Sequence, residues 1–178
     1  MPWGYNEQQA YHVLFVGFMG SGKSTVARRM AQLFSRRCID LDRLIARRAG
    51  MDIPTIFQKE GEQGFRDRET AALESLFLET SSIVSCGGGI TIRERNQQLL
   101  KRLGTVIYLK VDADEAVSRI SRPETRPLLS GDVPPREILQ ARAASYESVA
   151  DICFDTAGKS IDEVVNTLGE LLWKKGIL

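Results

Sequence analysis

The chain has 178 residues, 43% of them apolar and 26% charged, with a formal net charge of +1. That length suits one domain with a buried core, and the near balance of charge excludes a global electrostatic pull toward nucleic acid or a membrane surface. The three cysteines, Cys38, Cys86 and Cys153, have no metal-ligand spacing; they argue against a disulfide framework and fit a reducing compartment.

Residues 1–11 are polar and carry no signal-peptide core, and no apolar run approaches a membrane span, so a cytoplasmic location is expected. His12, the single histidine, stands at the start of the first strand, where a structural role is expected. Val13–Val16 is that strand, and the spacing of Val26, Met30, Leu33 and Phe34 predicts a helix from Lys23 to about Ser35. Arg37–Asp40 reads as a second strand, followed by helical segments with Pro54 near the start of one. Ser82–Cys86, Thr105–Val111 and Ile152–Asp155 read as strands three to five. Ile161, Val164, Val165, Leu168 and Leu172 mark a final amphipathic helix. Each cysteine lies in or beside an apolar run and is expected to be a small buried side chain. Most arginines, among them Arg47, Arg48, Arg93 and Arg95, are expected on solvated helix faces. Residues 121–135 are dense in Pro, Gly and charge and read as a mobile loop, too short for a domain linker. The alternation of strands and helices predicts a single α/β domain, a five-stranded parallel sheet between two helical layers. Ligands of such sheets bind beyond the carboxyl ends of the strands.

Chemistry concentrates at those ends. Gly17-Phe18-Met19-Gly20-Ser21-Gly22-Lys23-Ser24 fits the pattern GxxxxGK[ST], with a strand before it and a helix after. Its glycines let backbone N–H groups converge on phosphate oxygens, and the following helix adds a favourable dipole. Lys23 is placed to reach the β- and γ-phosphates, and Ser24 offers a hydroxyl to Mg²⁺. No Asn-Lys-x-Asp element for guanine is present. After strand two, Asp40 and Asp42 flank Leu41; if the segment stays extended, both carboxylates face one way and Leu41 the other. They suit a metal ion or an acceptor hydroxyl, and equally a helix N-cap. Phe65-Arg66-Asp67-Arg68-Glu69 opens a helical segment with Arg66 and Glu69 on one face. Glu69 could hold Arg66 for bidentate capture of a carboxylate, or the two form a surface ion pair of small value. Gly87-Gly88-Gly89 closes strand three and permits a close approach of backbone to ligand.

Together these segments resemble the shikimate kinase family. The likeness spans nearly the whole chain: the loop at 17–24, Asp-x-Asp at 40–42, Phe-Arg-x-x-Glu at 65–69, the glycines at 87–89 and Arg-Pro-Leu-Leu at 126–129. It implies a P-loop kinase that moves the γ-phosphate of ATP to the 3-hydroxyl of shikimate, on the route to chorismate and the aromatic amino acids, with Mg²⁺ as cofactor and a closing lid at about 121–135. It implies ATP binding by Gly20, Ser21, Gly22, Lys23, Ser24 and Thr25, with Arg119 against adenine and Arg126 reaching the transferred phosphate. Ser24 and, through water, Asp40 would serve the metal. Asp42 would meet the acceptor hydroxyl as the candidate base. Arg66 and Arg142, with Gly87, Gly88 and Gly89, would hold the shikimate carboxylate. Arg142 is assigned from the Arg-x-x-x-Tyr pattern ending at Tyr146, with Arg136 the competing choice. Strand three carries no Walker-type aspartate; Ser85 is a candidate to touch a metal-bound water. A monomer with ATP and shikimate as its partners, and neither nucleic acid nor membrane, is expected. The rival readings are a kinase of another polar acceptor such as gluconate, which would not need the Arg66 pocket, and a non-catalytic ATP-binding regulator.

Overall fold

A computed structural model describes residues 11–120 and 133–178. Strands β1 (His12–Val16), β2 (Arg37–Asp40), β3 (Ser82–Ser85), β4 (Gly104–Lys110) and β5 (Ile152–Asp155) form one sheet of order β2-β3-β1-β4-β5, with every neighbouring pair parallel. The central strand β1 is buried along its whole length. Its side chains alternate: Leu14 and Val16 enter one apolar layer, Val13 and Phe15 the other. β4 does the same with Val106 and Tyr108 against Ile107 and Leu109.

On one face pack α2 (Leu41–Ala49), α3 (Ile53–Ser75), α4 (Glu94–Leu103) and α6 (Pro135–Val149). On the other pack α1 (Lys23–Leu33) and α7 (Ile161–Lys174). The short α5 (Ala113–Ser118) sits beside the phosphate loop, where Phe18, Met19, Val111 and Ala116 form a third small cluster. α3 is broken at Gly61, whose backbone is not helical, and the Arg68 guanidinium forks onto both oxygens of Glu60 across the break. Among the described residues, no helix is long and apolar enough to cross a membrane.

Three expectations change. Cys86 is buried, but Cys38 and Cys153 are exposed, because β2 and β5 are the sheet's edge strands and only part of each is covered. Arg93 is half-buried rather than solvated, because it bridges from the start of α4 to Asp67 of α3. Asp40 and Asp42 do not share an extended segment: Asp40 ends β2 and caps α2, and Asp42 lies in that helix's first turn. Leu41 still enters the core, with 1% of its surface exposed.

Candidate active site

A cavity of about 730 Å³ opens at the carboxyl ends of the strands, within the range usual for small-molecule sites. The phosphate loop after β1 supplies one wall. Gly20 has φ +77°, and a Cβ there would overlap the carbonyl of Ala116, so the loop closes on α5 only with glycine. Lys23 opens α1 yet is 7% exposed; its Nζ donates to the Phe18 carbonyl at 2.7 Å and to Ser21 Oγ at 3.4 Å. The ammonium is thus folded back over its own loop, at the point where the loop's backbone converges.

Next to it, Ser24 Oγ donates to Asp40 Oδ2 at 2.8 Å and lies 3.1 Å from Ser85 Oγ. The other Asp40 oxygen accepts the Arg43 N–H at 3.2 Å. Asp40 therefore does both things open to it from the sequence: it caps α2 and faces the phosphate loop. Two hydroxyls and a carboxylate form a small hard-oxygen cluster. That donor set fits Mg²⁺, which keeps several waters and needs few protein groups; it is not a closed cage, and no group of three or more His, Cys, Asp or Glu suited to a metal occurs among the described residues.

Asp42 lines the same cavity, beside the glycine triplet; a Cβ on Gly87 would stand 2.8 Å from Asp42 Oδ1 and 3.1 Å from Glu69 Oε1. Behind that triplet lies a buried ionic group. Arg66 and Glu69 are 3% and 1% exposed, bonded at 2.5 Å, and Arg66 Nη2 also reaches Glu62 at 3.0 Å. The pair is thus not a surface ion pair, since the second half of α3 packs this face inward. Burial acts to lower the Arg66 pKa, but Glu69 and Glu62 together outweigh it and hold the guanidinium charged. A Cβ on Gly89 would overlap that guanidinium. From α6, Arg142 Nη1 donates to the Gly88 carbonyl at 3.3 Å, and the Tyr146 hydroxyl donates to the same oxygen. Burial pushes the Tyr146 phenol up to about 12, so it stays a neutral donor. Arg136, by contrast, points outward to Asp114 with a side chain 63% exposed.

The family model for shikimate kinase matches residues 19–173 of this chain. The chain belongs to the shikimate kinase family. A shikimate kinase of Thioalkalivibrio sulfidiphilus is 39% identical over 163 residues, covering 90% of this chain and 86% of the relative. One from Neisseria meningitidis serogroup C is 41% identical over 159 residues, 88% and 92% of the two chains. Among solved structures, a shikimate kinase from Acinetobacter baumannii in complex with shikimate superposes with a TM-score of 0.89 at 33% identity, covering 96% of this chain and 97% of that one.

The cavity gathers most of the residues singled out in the sequence: Gly20, Gly22, Lys23, Ser24, Thr25, Asp40, Asp42, Gly87, Gly88 and Arg119 line it. Ser21 is buried within the loop, while Arg66, Gly89 and Arg142 stand behind the lining. Arg119 caps the C-terminus of α5 and pairs with Glu115. Arg126 and most of the 121–135 segment lie outside the described residues. Two stretches of the wall were not singled out. Arg43 enters from the first turn of α2, and Lys159, Ser160 and Ile161 enter from the turn after β5. The rule that sites follow strand ends would have flagged the second, since it applies to β5 as it does to β1.

Proposed function

We propose that this shikimate kinase family member transfers the γ-phosphate of ATP to the 3-hydroxyl of shikimate, giving ADP and shikimate 3-phosphate. The observation that carries the reading is the joining of two unlike pockets. A phosphate loop with a buried lysine stands on one side of Asp42, and the Arg66 group stands on the other, behind glycines that let a ligand approach. A phosphate donor and a carboxylate-bearing acceptor would meet at Asp42. Gluconate also bears a carboxylate, but the match of family and sequence favours shikimate.

Transfer of a phosphoryl group needs alignment and charge neutralisation more than covalent help. The loop N–H groups would hold the phosphates, and Lys23 would turn from the Phe18 carbonyl to the transferred group. Ser24 would hold Mg²⁺, with Asp40 acting through water and Ser85 toward the water shell; the ion, when bound, offsets charge on the phosphate oxygens. Asp42 would orient the acceptor hydroxyl and accept its proton. Arg66 and Arg142 would grip the acceptor carboxylate beside Gly88. The resemblance adds Arg119 against adenine and Arg126 at the transferred phosphate. A monomer in the cytoplasm, without nucleic acid or membrane partners, completes the proposal.

The test is ADP release from Mg·ATP with shikimate, with gluconate and with neither. Release with shikimate alone is expected. Release with gluconate alone would keep the phosphate site and discard the acceptor assignment. Tight ATP binding without release under any condition would move the reading to a regulator.

A further inference from the structure

A second cavity, of about 490 Å³, opens on the outer side of Asp40, between α1, β2 and α2. Four arginines line it, Arg28, Arg37, Arg43 and Arg47, against two carboxylates, Asp40 and Glu79. Both carboxylates are already engaged. Asp40 accepts from Ser24 Oγ and the Arg43 N–H, and Glu79 pairs with Arg37. The salt bridges of the described residues include none from Arg28, Arg43 or Arg47.

All three are exposed, and Arg47, in the last turn of α2, is favoured by the helix dipole; the unfavourable placement is that of Arg43. Arg43 is the third residue of α2, where the helix dipole disfavours positive charge. Arg43 and Arg47 are four apart on the same helix and repel. Arg28 approaches from α1, and both Arg28 and Arg43 act electrostatically on Cys38 in the groove floor. An ordinary solvated arginine needs no partner, but three that share one concavity concentrate positive charge there. A dense anion would meet all three guanidinium groups at once and suit the N-terminal end of α2. Guanidinium forks match phosphate oxygens, and the count of cations calls for more than one phosphate group.

We propose that this groove binds a small polyphosphate, as a site separate from the nucleotide cavity and joined to it through Arg43, Ser24 and Asp40, which line both. The ligand's source is either free inorganic polyphosphate or the phosphate chain of a second nucleotide.

The experiment titrates inorganic tripolyphosphate into ADP-saturated protein at fixed free Mg²⁺, read by calorimetry. It compares the natural chain with Arg28→Gln/Arg47→Gln, neither residue being part of the proposed transfer machinery. About one equivalent should bind to the natural chain, with affinity about tenfold or more weaker in the double variant. ADP affinity and turnover without polyphosphate should be equal in the two proteins, which also reports correct folding. Arg47→Gln alone should give a smaller loss. A parallel titration with a non-hydrolysable ATP analogue separates the sources: a second equivalent lost in the variant identifies a nucleotide, and a single equivalent identifies free polyphosphate. No binding to the ADP-loaded natural chain, or equal affinity in both proteins, overturns the proposal. Should ADP itself not bind, the nucleotide reading of the larger cavity falls, and the tripolyphosphate comparison between the two proteins still decides the groove.

Discussion

Lys23 is a buried ammonium held by its own loop, 2.7 Å from the Phe18 carbonyl. An incoming triphosphate offers it oxygens of opposite charge. Lys23→Ala should therefore cut kcat by about a thousandfold, in the range found for loss of a single charge-stabilising group, with the fold intact by circular dichroism. Asp42 has a different task. It lines the cavity beside the glycine triplet. Asp42→Asn keeps the size and loses the proton acceptor, so kcat should fall by about 10²–10⁴ while ATP affinity holds. A variant turning over at the natural rate would remove Asp42 from the base role. For these residues the sequence was informative because the chemistry is local: eight consecutive residues fix where Lys23 and Ser24 go. Asp40 and Asp42 were harder. Their spacing suited an extended chain, but the β2 strand stops at Asp40, whose carboxylate finds the Arg43 N–H and starts a helix. The two carboxylates reach one cavity from a strand end and a helix turn.

At the scale of elements, the acceptor side depends on three segments far apart in the chain: the second half of α3, the turn after β3 and the middle of α6. Arg66 comes from the first, Gly87–Gly89 from the second, and Arg142 and Tyr146 from the third. Their contact explains why the Arg66–Glu69 pair looked like a surface feature in sequence. Spacing three apart says that two residues share a helix face, but not that the face is buried. The glycine triplet is the part of this assembly most open to test. A Cβ on Gly89 would overlap the Arg66 guanidinium, and a buried, doubly paired arginine has little room to retreat. Gly89→Ala should raise the acceptor KM by about tenfold or more, equivalent to about 1.4 kcal/mol, with ATP KM unchanged; a rise in ATP KM instead would mean that Arg66 serves the other pocket. Arg66→Ala is more severe, because it leaves Glu69 buried without its partner. Loss of one member of a buried pair costs about 3–5 kcal/mol, so chemical denaturation should show a large drop in stability together with lost acceptor binding.

Across the whole molecule, the segments that follow the five strands reach one cavity, the one after β4 through Arg119 and Ile120 beyond α5, though the sheet order is not the chain order. β3 lies between β2 and β1, which brings Ser85 and the glycine triplet beside the phosphate loop. The alternation of elements made a parallel sheet legible, but nothing local in the sequence sets which strand neighbours which. His12 is one of the groups that holds this arrangement. It starts β1, is fully buried, and its Nδ1 accepts the N–H of Ser82, at the start of β3, at 3.1 Å. A backbone N–H can only donate, so Nδ1 must be unprotonated; the ring proton sits on Nε2 and is donated to the Leu76 carbonyl at 3.0 Å. Charging the ring would break the first bond inside the core. Burial lowers the His12 pKa below its ordinary 6.5, outweighing the pull of the Leu76 carbonyl and of Glu79. The unfolded chain then takes up the proton first, so the contribution of His12 is full above pH 6.5 and is lost as pH falls below it. His12 is the single histidine, so no other side chain of ordinary pKa titrates in that window. Unfolding free energy measured from pH 7.5 to 5 should fall more steeply for the natural chain than for His12→Gln, which is less stable at neutral pH by about 1–3 kcal/mol through its disturbed hydrogen bonds. Parallel slopes in the two proteins would mean that the ring accepts a proton without cost, and that the β1–β3 junction does not rest on its neutral form.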